Sequence, residues 1–301
     1  MNWRALALAG SLVALCAMPA AAQRDFSAVE IRSEKVADGI YALTGSGGTM
    51  GLCVGPDGAY LIDDQFAPLT PRILDAIRAI TPEPVRFVIN THHHGDHTGG
   101  NENLGKEGAL IVAHENVRRR LAGEALTEVV GPEVEPAPIG ALPVVTFTDA
   151  VTFHWNDEEI RVFFVGPAHT DGDSIIHFAK ADVFHMGDTV FNGAYPYIDV
   201  SAGGRIEGVI AAVNRVLGVA GEQTRFIAGH GPPLPTRPEL EAYRDMLVTV
   251  RDRVAGLMAE GKTKEEVVAA KPTADLDETW GADGGFMDSE RFVGLVYDSM
   301  R

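Results

Sequence analysis

The segment Thr91-His92-His93-His94-Gly95-Asp96-His97 reads His-x-His-x-Asp-His, a density of imidazole and carboxylate that points to metal chemistry. In an extended loop, residues two apart project to the same side, so His92 and His94 can chelate one metal. Asp96 and His97 follow Gly95, where the chain turns toward a helix, and so can face a second metal beside the first. Imidazole nitrogen and carboxylate oxygen suit zinc. Three further residues each close an apolar strand beside glycine, as a shared metal site requires. They are His169 in Gly166-Pro167-Ala168-His169, Asp188 in Gly187-Asp188-Thr189 and His230 in Gly229-His230-Gly231. His93 is expected to face solvent or to support the ligands. His114, His154, His177 and His185 read as structural.

The elements that must carry these residues follow from the pattern. Strands are expected near 39–44, 51–54 and 59–63, with the turn Gly55-Pro56-Asp57-Gly58 between the last two. A helix over 70–80 leads to a buried strand at 85–89, which delivers the chain into the histidine loop. A strand at 109–112 and a helix at 114–121 follow. Residues 122–143, rich in Pro, Gly and Glu, read as a linker between two halves. The second half carries strands near 145–148, 151–155, 159–165, 174–179, 182–186 and 224–228. Its helices are expected near 205–219, 237–260, 263–270 and 288–299. Strands followed by helices, twice, predict two sheets packed face to face with helices outside.

Composition narrows the function. With 42 acidic against 25 basic residues the chain lacks the cationic footprint of a nucleic-acid binder. Arg4, the uncharged apolar stretch 5–18 and Ala20-Ala21-Ala22 read as a signal peptide spanning residues 1–22. The apolar run is short for a membrane span, so no stable membrane insertion is expected after cleavage. The expected location is periplasmic or secreted. Of the two cysteines, Cys16 and Cys53, cleavage leaves only Cys53, expected to be buried.

On these motifs, with Asp63 in Leu61-Ile62-Asp63-Asp64, the chain resembles the metallo-β-lactamase superfamily over nearly all of residues 23–301. The resemblance implies one α/β domain, a four-layer αββα sandwich with the metal site at one edge of the two sheets. It implies that His92, His94 and His169 bind a first zinc and that Asp96, His97 and His230 bind a second. Asp188 would bridge the two and Asp63 would orient the ligand loop. Iron or manganese are the other metals such a site takes.

The chemistry implied is hydrolysis of a small-molecule substrate. A hydroxide shared by two metals attacks an amide or ester carbonyl, with Asp96 as the catalytic residue that orients it or accepts its proton. Export favours a β-lactamase-like hydrolase and a role in antibiotic resistance. The alternative is a lactonase or a glyoxalase-II-like thioesterase, which Asp188 favours, because dedicated β-lactamases of this fold usually carry cysteine or serine there. No lysine follows Asp188 closely. Phe191, Asn192, Tyr195 and Tyr197 follow instead and are expected to form a substrate wall. The glycine-rich loop 45–51 is expected to act as a flap over the site. A second class is an iron-dependent oxidoreductase of the same fold. Its diiron members typically carry glutamate where this chain has His94, so histidine favours hydrolysis.

Overall fold

A computed structural model describes residues 25–124, 136–281 and 287–301. The expected signal peptide, residues 1–22, lies outside them. Short runs, apolar in all but the first, and punctuated by glycine and aspartate turns, form the strands of the first part. These are β1 (Arg32–Ala37), β2 (Ile40–Thr44), β3 (Met50–Cys53), β4 (Ala59–Ile62), β5 (Val85–Asn90), β6 (Leu110–His114) and β7 (Val145–Phe147). Helices α1 (Thr70–Ile80), α2 (Gly95–Thr98), α3 (Asn101–Lys106) and α4 (Glu115–Leu121) lie between them. The second part holds β8 (Ala150–Trp155), β9 (Glu158–Phe164), β10 (Ser174–Phe178), β11 (Val183–His185) and β12 (Arg225–Ile227). Its helices are α5 (Ile206–Leu217), α6 (Arg237–Ala259), α7 (Lys264–Ala269), α8 (Asp277–Trp280) and α9 (Ser289–Ser299).

Among the described residues the strands make two sheets. One has seven strands in the order β1-β2-β3-β4-β5-β6-β7, and the other five in the order β12-β11-β10-β9-β8. Their facing sides share one apolar layer, with Ile40, Tyr60, Ile62 and Ile89 against Val162, Ile176, Phe178 and Ile227. The outer face of the first sheet is covered through Leu61 and Val88 packing with Ile73 and Ile77, which lie one turn apart on α1. The outer face of the second is covered through Phe184 and Phe226 packing with α5, α6 and α9. On α5 the buried residues Ile206, Val209, Ile210, Val213 and Val216 form one stripe at helical spacing. A side-chain and backbone exchange between Thr236 and Glu239 starts α6. The result is the four-layer αββα sandwich expected from the resemblance.

The boundary between the halves falls later than expected. Strand β7 pairs parallel to β6 and belongs to the first sheet, so the linker at 122–143 does not separate the sheets. Residues 125–135 of that linker lie outside the described residues. Strand β1 was not expected, because four of its six residues are exposed on a sheet edge and carry no apolar alternation.

Four of the strands set the site. Strands β4 and β5 run parallel, as do β11 and β12, so within each pair the carboxyl ends share one edge of the sheet. The loops leaving those four strands carry Asp63, His92, Asp188 and His230 in turn. Ligand sites in sheets of this kind gather at carboxyl ends of parallel strands.

Candidate metal centre

Three imidazole nitrogens converge where β5 ends. His94 Nδ1 stands 3.0 Å from His92 Nε2 and 3.0 Å from His169 Nε2. Their partners on the far side fix which nitrogens carry protons. His169 Nδ1 donates to the Tyr197 carbonyl at 2.8 Å. His94 Nε2 donates to Asp199 Oδ2 at 2.9 Å. The Thr91 hydroxyl donates to Asp63 Oδ2 at 2.8 Å, so at 3.0 Å it must accept from His92 Nδ1. With neutral rings, three bare lone pairs therefore face one another. In that state no proton lies among the three, and a metal cation would accept all three lone pairs. Burial favours the neutral form of His92 and of His169, pushing the latter's pKa down to about 4, and neutral imidazole is the form that binds metal.

A second group adjoins the first. Asp96 Oδ2 lies 3.4 Å from His230 Nε2 and 3.7 Å from His97 Nε2. His97 Nδ1 donates to Asp63 Oδ2 at 2.7 Å, which turns Nε2 toward Asp188 Oδ1 at 3.2 Å. His97 Nε2 and Asp188 Oδ1 are both buried, and neither makes a well-directed hydrogen bond. Two orphaned buried polar atoms aimed at a shared space fit a bound cation. Burial opposes charge on His97, but Asp188, Asp63 and Asp96 outweigh it and raise its pKa well above the ordinary value. The same carboxylates that would face a metal draw a proton there. Asp188 stands between the groups: Oδ2 is 3.5 Å from His169 Nε2, 3.7 Å from His92 Nε2 and 3.2 Å from His230 Nε2. All seven expected ligand side chains thus meet at one place, with Asp188 in contact with both groups.

The surrounding residues explain how the ligands are held. Asp63 has a left-handed backbone (φ 57°), and its other oxygen accepts Thr91 N–H at 2.7 Å. One carboxylate thereby fixes the end of β5, the tautomer of His97 and, through Thr91, that of His92. Replacing Asp63 by asparagine puts an amide donor where an acceptor is needed. Metal affinity of the second group should fall by about 10- to 100-fold, measurable by competition with a chromophoric chelator. Unchanged affinity for both metals would remove Asp63 from this role. The Asp173 carboxylate accepts from Thr170 N–H and Oγ1, both at 2.7 Å, and fixes the turn after His169.

Asp199 was not singled out from the sequence. It binds His94 from 105 residues away and also donates its N–H to the His169 carbonyl at 2.9 Å. No local spacing signals such a pairing. The expected substrate wall divides. Tyr197 lies beside the first group, its ring 6.0 Å from that of His94 and 5.8 Å from that of His169. Phe191 stacks on His230 at 4.8 Å. Asn192 Nδ2 donates to the Pro232 carbonyl at 3.0 Å, bracing the turn after His230. Tyr195 is not a wall residue. It is fully buried, donates its hydroxyl to Asp277 at 2.9 Å and stacks on Phe292 at 4.6 Å, because its ring completes the core under α9. Three of the histidines set aside as structural also have partners of their own. His114 accepts the Asn116 N–H at the start of α4, His177 stacks on Phe184, and His185 Nε2 donates to the Thr49 carbonyl.

Comparison with known proteins follows the same lines. A family model described as Metallo-beta-lactamase superfamily matches residues 43–259. The chain is 34% identical over 108 residues to a hydroxyacylglutathione hydrolase of Gloeobacter violaceus, covering 35% of each protein. It is 29% identical over 216 residues to a protein of the same name from Rhodospirillum rubrum, covering 66% of this chain and 74% of that one. The chain spans about a third of the length of the first curated relatives it matches. A solved metallo-beta-lactamase from Pontibacter korlensis superimposes with a TM-score of 0.59 at 20% identity, over 73% of this chain and 99% of that one. At that identity the likeness speaks for the fold.

Proposed function

The chain belongs to the metallo-beta-lactamase superfamily, and on that premise we propose that it is a two-zinc hydrolase of ester or thioester carbonyls. The observation that carries this reading is Asp188, whose carboxylate touches ligands of both groups. An aspartate at this position is what glyoxalase-II-like thioesterases and many lactonases share, and relatives named hydroxyacylglutathione hydrolase support the same reading.

Zinc bound at the two groups supplies Lewis acidity toward the carbonyl oxygen and water acidic enough to react at neutral pH. The chain's own residues do the rest. His92, His94 and His169 present ring nitrogens from three fixed directions. Asp188 is only 3% exposed and is ringed by four imidazoles. Asp96 is 25% exposed, and its Oδ2 faces His97 and His230 from the solvent side. Of the two ligand carboxylates it is therefore the one placed to orient water and take its proton. Tyr197 gives the acyl portion an aromatic surface beside the first group.

A β-lactam ring is the second reading, favoured by the signal-peptide pattern of residues 1–22, which would place the mature chain in the periplasm or outside the cell. The test is hydrolysis by zinc-loaded protein of a hydroxyacylglutathione thioester, an aliphatic lactone and a chromogenic cephalosporin, each with and without chelator. Chelator-sensitive cleavage should be fastest with the thioester or the lactone. A cephalosporin opened faster than both would replace this reading with the second; no cleavage of any would end both.

A further inference from the structure

The glycine-rich turn between β2 and β3, expected as a flap, bears directly on the second metal group. Gly48 lies so close to the His97 ring that a Cβ there would overlap it, and Gly47 packs on the Asp96 side chain. Gly48 N–H donates to the Asp96 carbonyl at 3.3 Å, and Thr49 N–H donates at 2.7 Å to the carbonyl of Gly229, the residue before His230. One turn therefore touches Asp96 and His97, two residues of the second group, and Gly229, which leads into the third, His230. What holds the turn down is Gln65. It is fully buried; its Nε2 donates to the Gly48 carbonyl at 2.7 Å, and its Oε1 accepts Ser46 N–H at 3.2 Å. Gln65 sits in a left-handed backbone (φ 53°), as does Asp63 (φ 57°). Strain of this kind persists where surrounding structure enforces it. Here it lets three consecutive residues grip His97 from different sides. Asp63 holds the ring nitrogen, Asp64 N–H donates to the His97 carbonyl at 3.0 Å, and Gln65 presses the turn on the ring.

We infer that Gln65 is a positioning residue that latches the 46–49 turn onto His97 and so maintains the second metal group, while leaving the first untouched. The inference rests on the two-metal reading of the centre. It makes this turn a keeper: lifting it to admit substrate would loosen Asp96 and His97, so access falls to the Tyr197 side.

The test uses cobalt(II) alone as the probe, titrated into the full chain and read by visible absorption. His169→Ala isolates the second group, and His230→Ala isolates the first. In the His169→Ala background, Gln65→Asn should weaken cobalt binding by about 10- to 100-fold. In the His230→Ala background it should leave binding within about twofold. Asparagine tolerates the left-handed backbone but is too short to reach the turn. Gly48→Ala, which leaves Gln65 intact and displaces the His97 ring, should give the same selective loss. Equal weakening in both backgrounds, or none in the first, would overturn the latch. Wild-type protein that takes up fewer than two cobalt ions would instead overturn the two-metal reading beneath it.

Discussion

Asparagine at position 188 should lower kcat/KM by about a thousandfold, roughly 4 kcal/mol of transition-state stabilisation, and reduce bound metal from two ions per chain toward one. The substitution is nearly isosteric, so shape in the turn after β11 is kept while the charge is lost. Asp188 faces four imidazoles: His97 through Oδ1, and His92, His169 and His230 through Oδ2. Burial opposes its ionisation, yet His97, His230 and His92 hold its pKa well below the ordinary carboxylate range. An amide can offer one oxygen and no charge, so it can serve one group or the other but cannot join them. Metal analysis after dialysis and steady-state hydrolysis of the best substrate would measure both effects. Circular dichroism should be unchanged, since the two sheets pack through residues elsewhere. Full metal content with turnover within threefold of wild type would refute a joining role for Asp188.

The part of this centre that the sequence made legible is the part written in local spacing and strand ends. His92, His94, Asp96 and His97 lie in one loop whose periodicity states which side each faces. His169, Asp188 and His230 were visible because each follows an apolar strand and lies within three residues of a glycine. What was not legible depends on register between distant segments. Asp199 reaches His94 only because the segment leading from the Asp188 turn to α5 folds back across the His169 loop. Strand β7, expected with the second half, joins the first sheet; three residues with two exposed carry too little pattern to say which edge they join. Tyr195 and Tyr197 look alike in sequence, both in an aromatic run after Asp188. Only the packing of α9 decides that the first fills the core and the second faces the ligands. From composition the glycine-rich turn at 45–51 reads as a flap over the site. Its glycines also serve close approach, since His97 occupies the space a side chain at position 48 would need.

Close approach also governs the other end of the site, where a single added methyl should do almost as much harm as losing a ligand. A Cβ on Gly229 would overlap the Oδ1 oxygen of Asp188 and would lie 2.5 Å from the Gly187 carbonyl oxygen. Neither neighbour can step aside cheaply. Gly187 has a left-handed backbone (φ 52°) and accepts the Gly229 N–H at 3.0 Å, while Asp188 is held among its four imidazoles. The chain after β12 would have to move instead, carrying His230 with it. The 4.8 Å stack of Phe191 on His230 and the hydrogen bond from Thr49 to Gly229 would go as well. A displacement of about 1 Å in a reacting geometry costs on the order of 100-fold in rate. Gly229→Ala should therefore cut kcat/KM by about that factor and release the second metal at chelator concentrations that wild type survives. Overpacking should also cost about 1–3 kcal/mol of stability, read as a lower denaturant midpoint. Restoring room on the other side separates crowding from a general loss of fold. Asp188→Ser in the Gly229→Ala background should recover part of the denaturant midpoint, the part due to the carboxylate, without recovering activity, while the Gly187 carbonyl still crowds the methyl. A double variant as unstable as Gly229→Ala alone would mean that the methyl is felt by the backbone of Gly187 and not by the carboxylate.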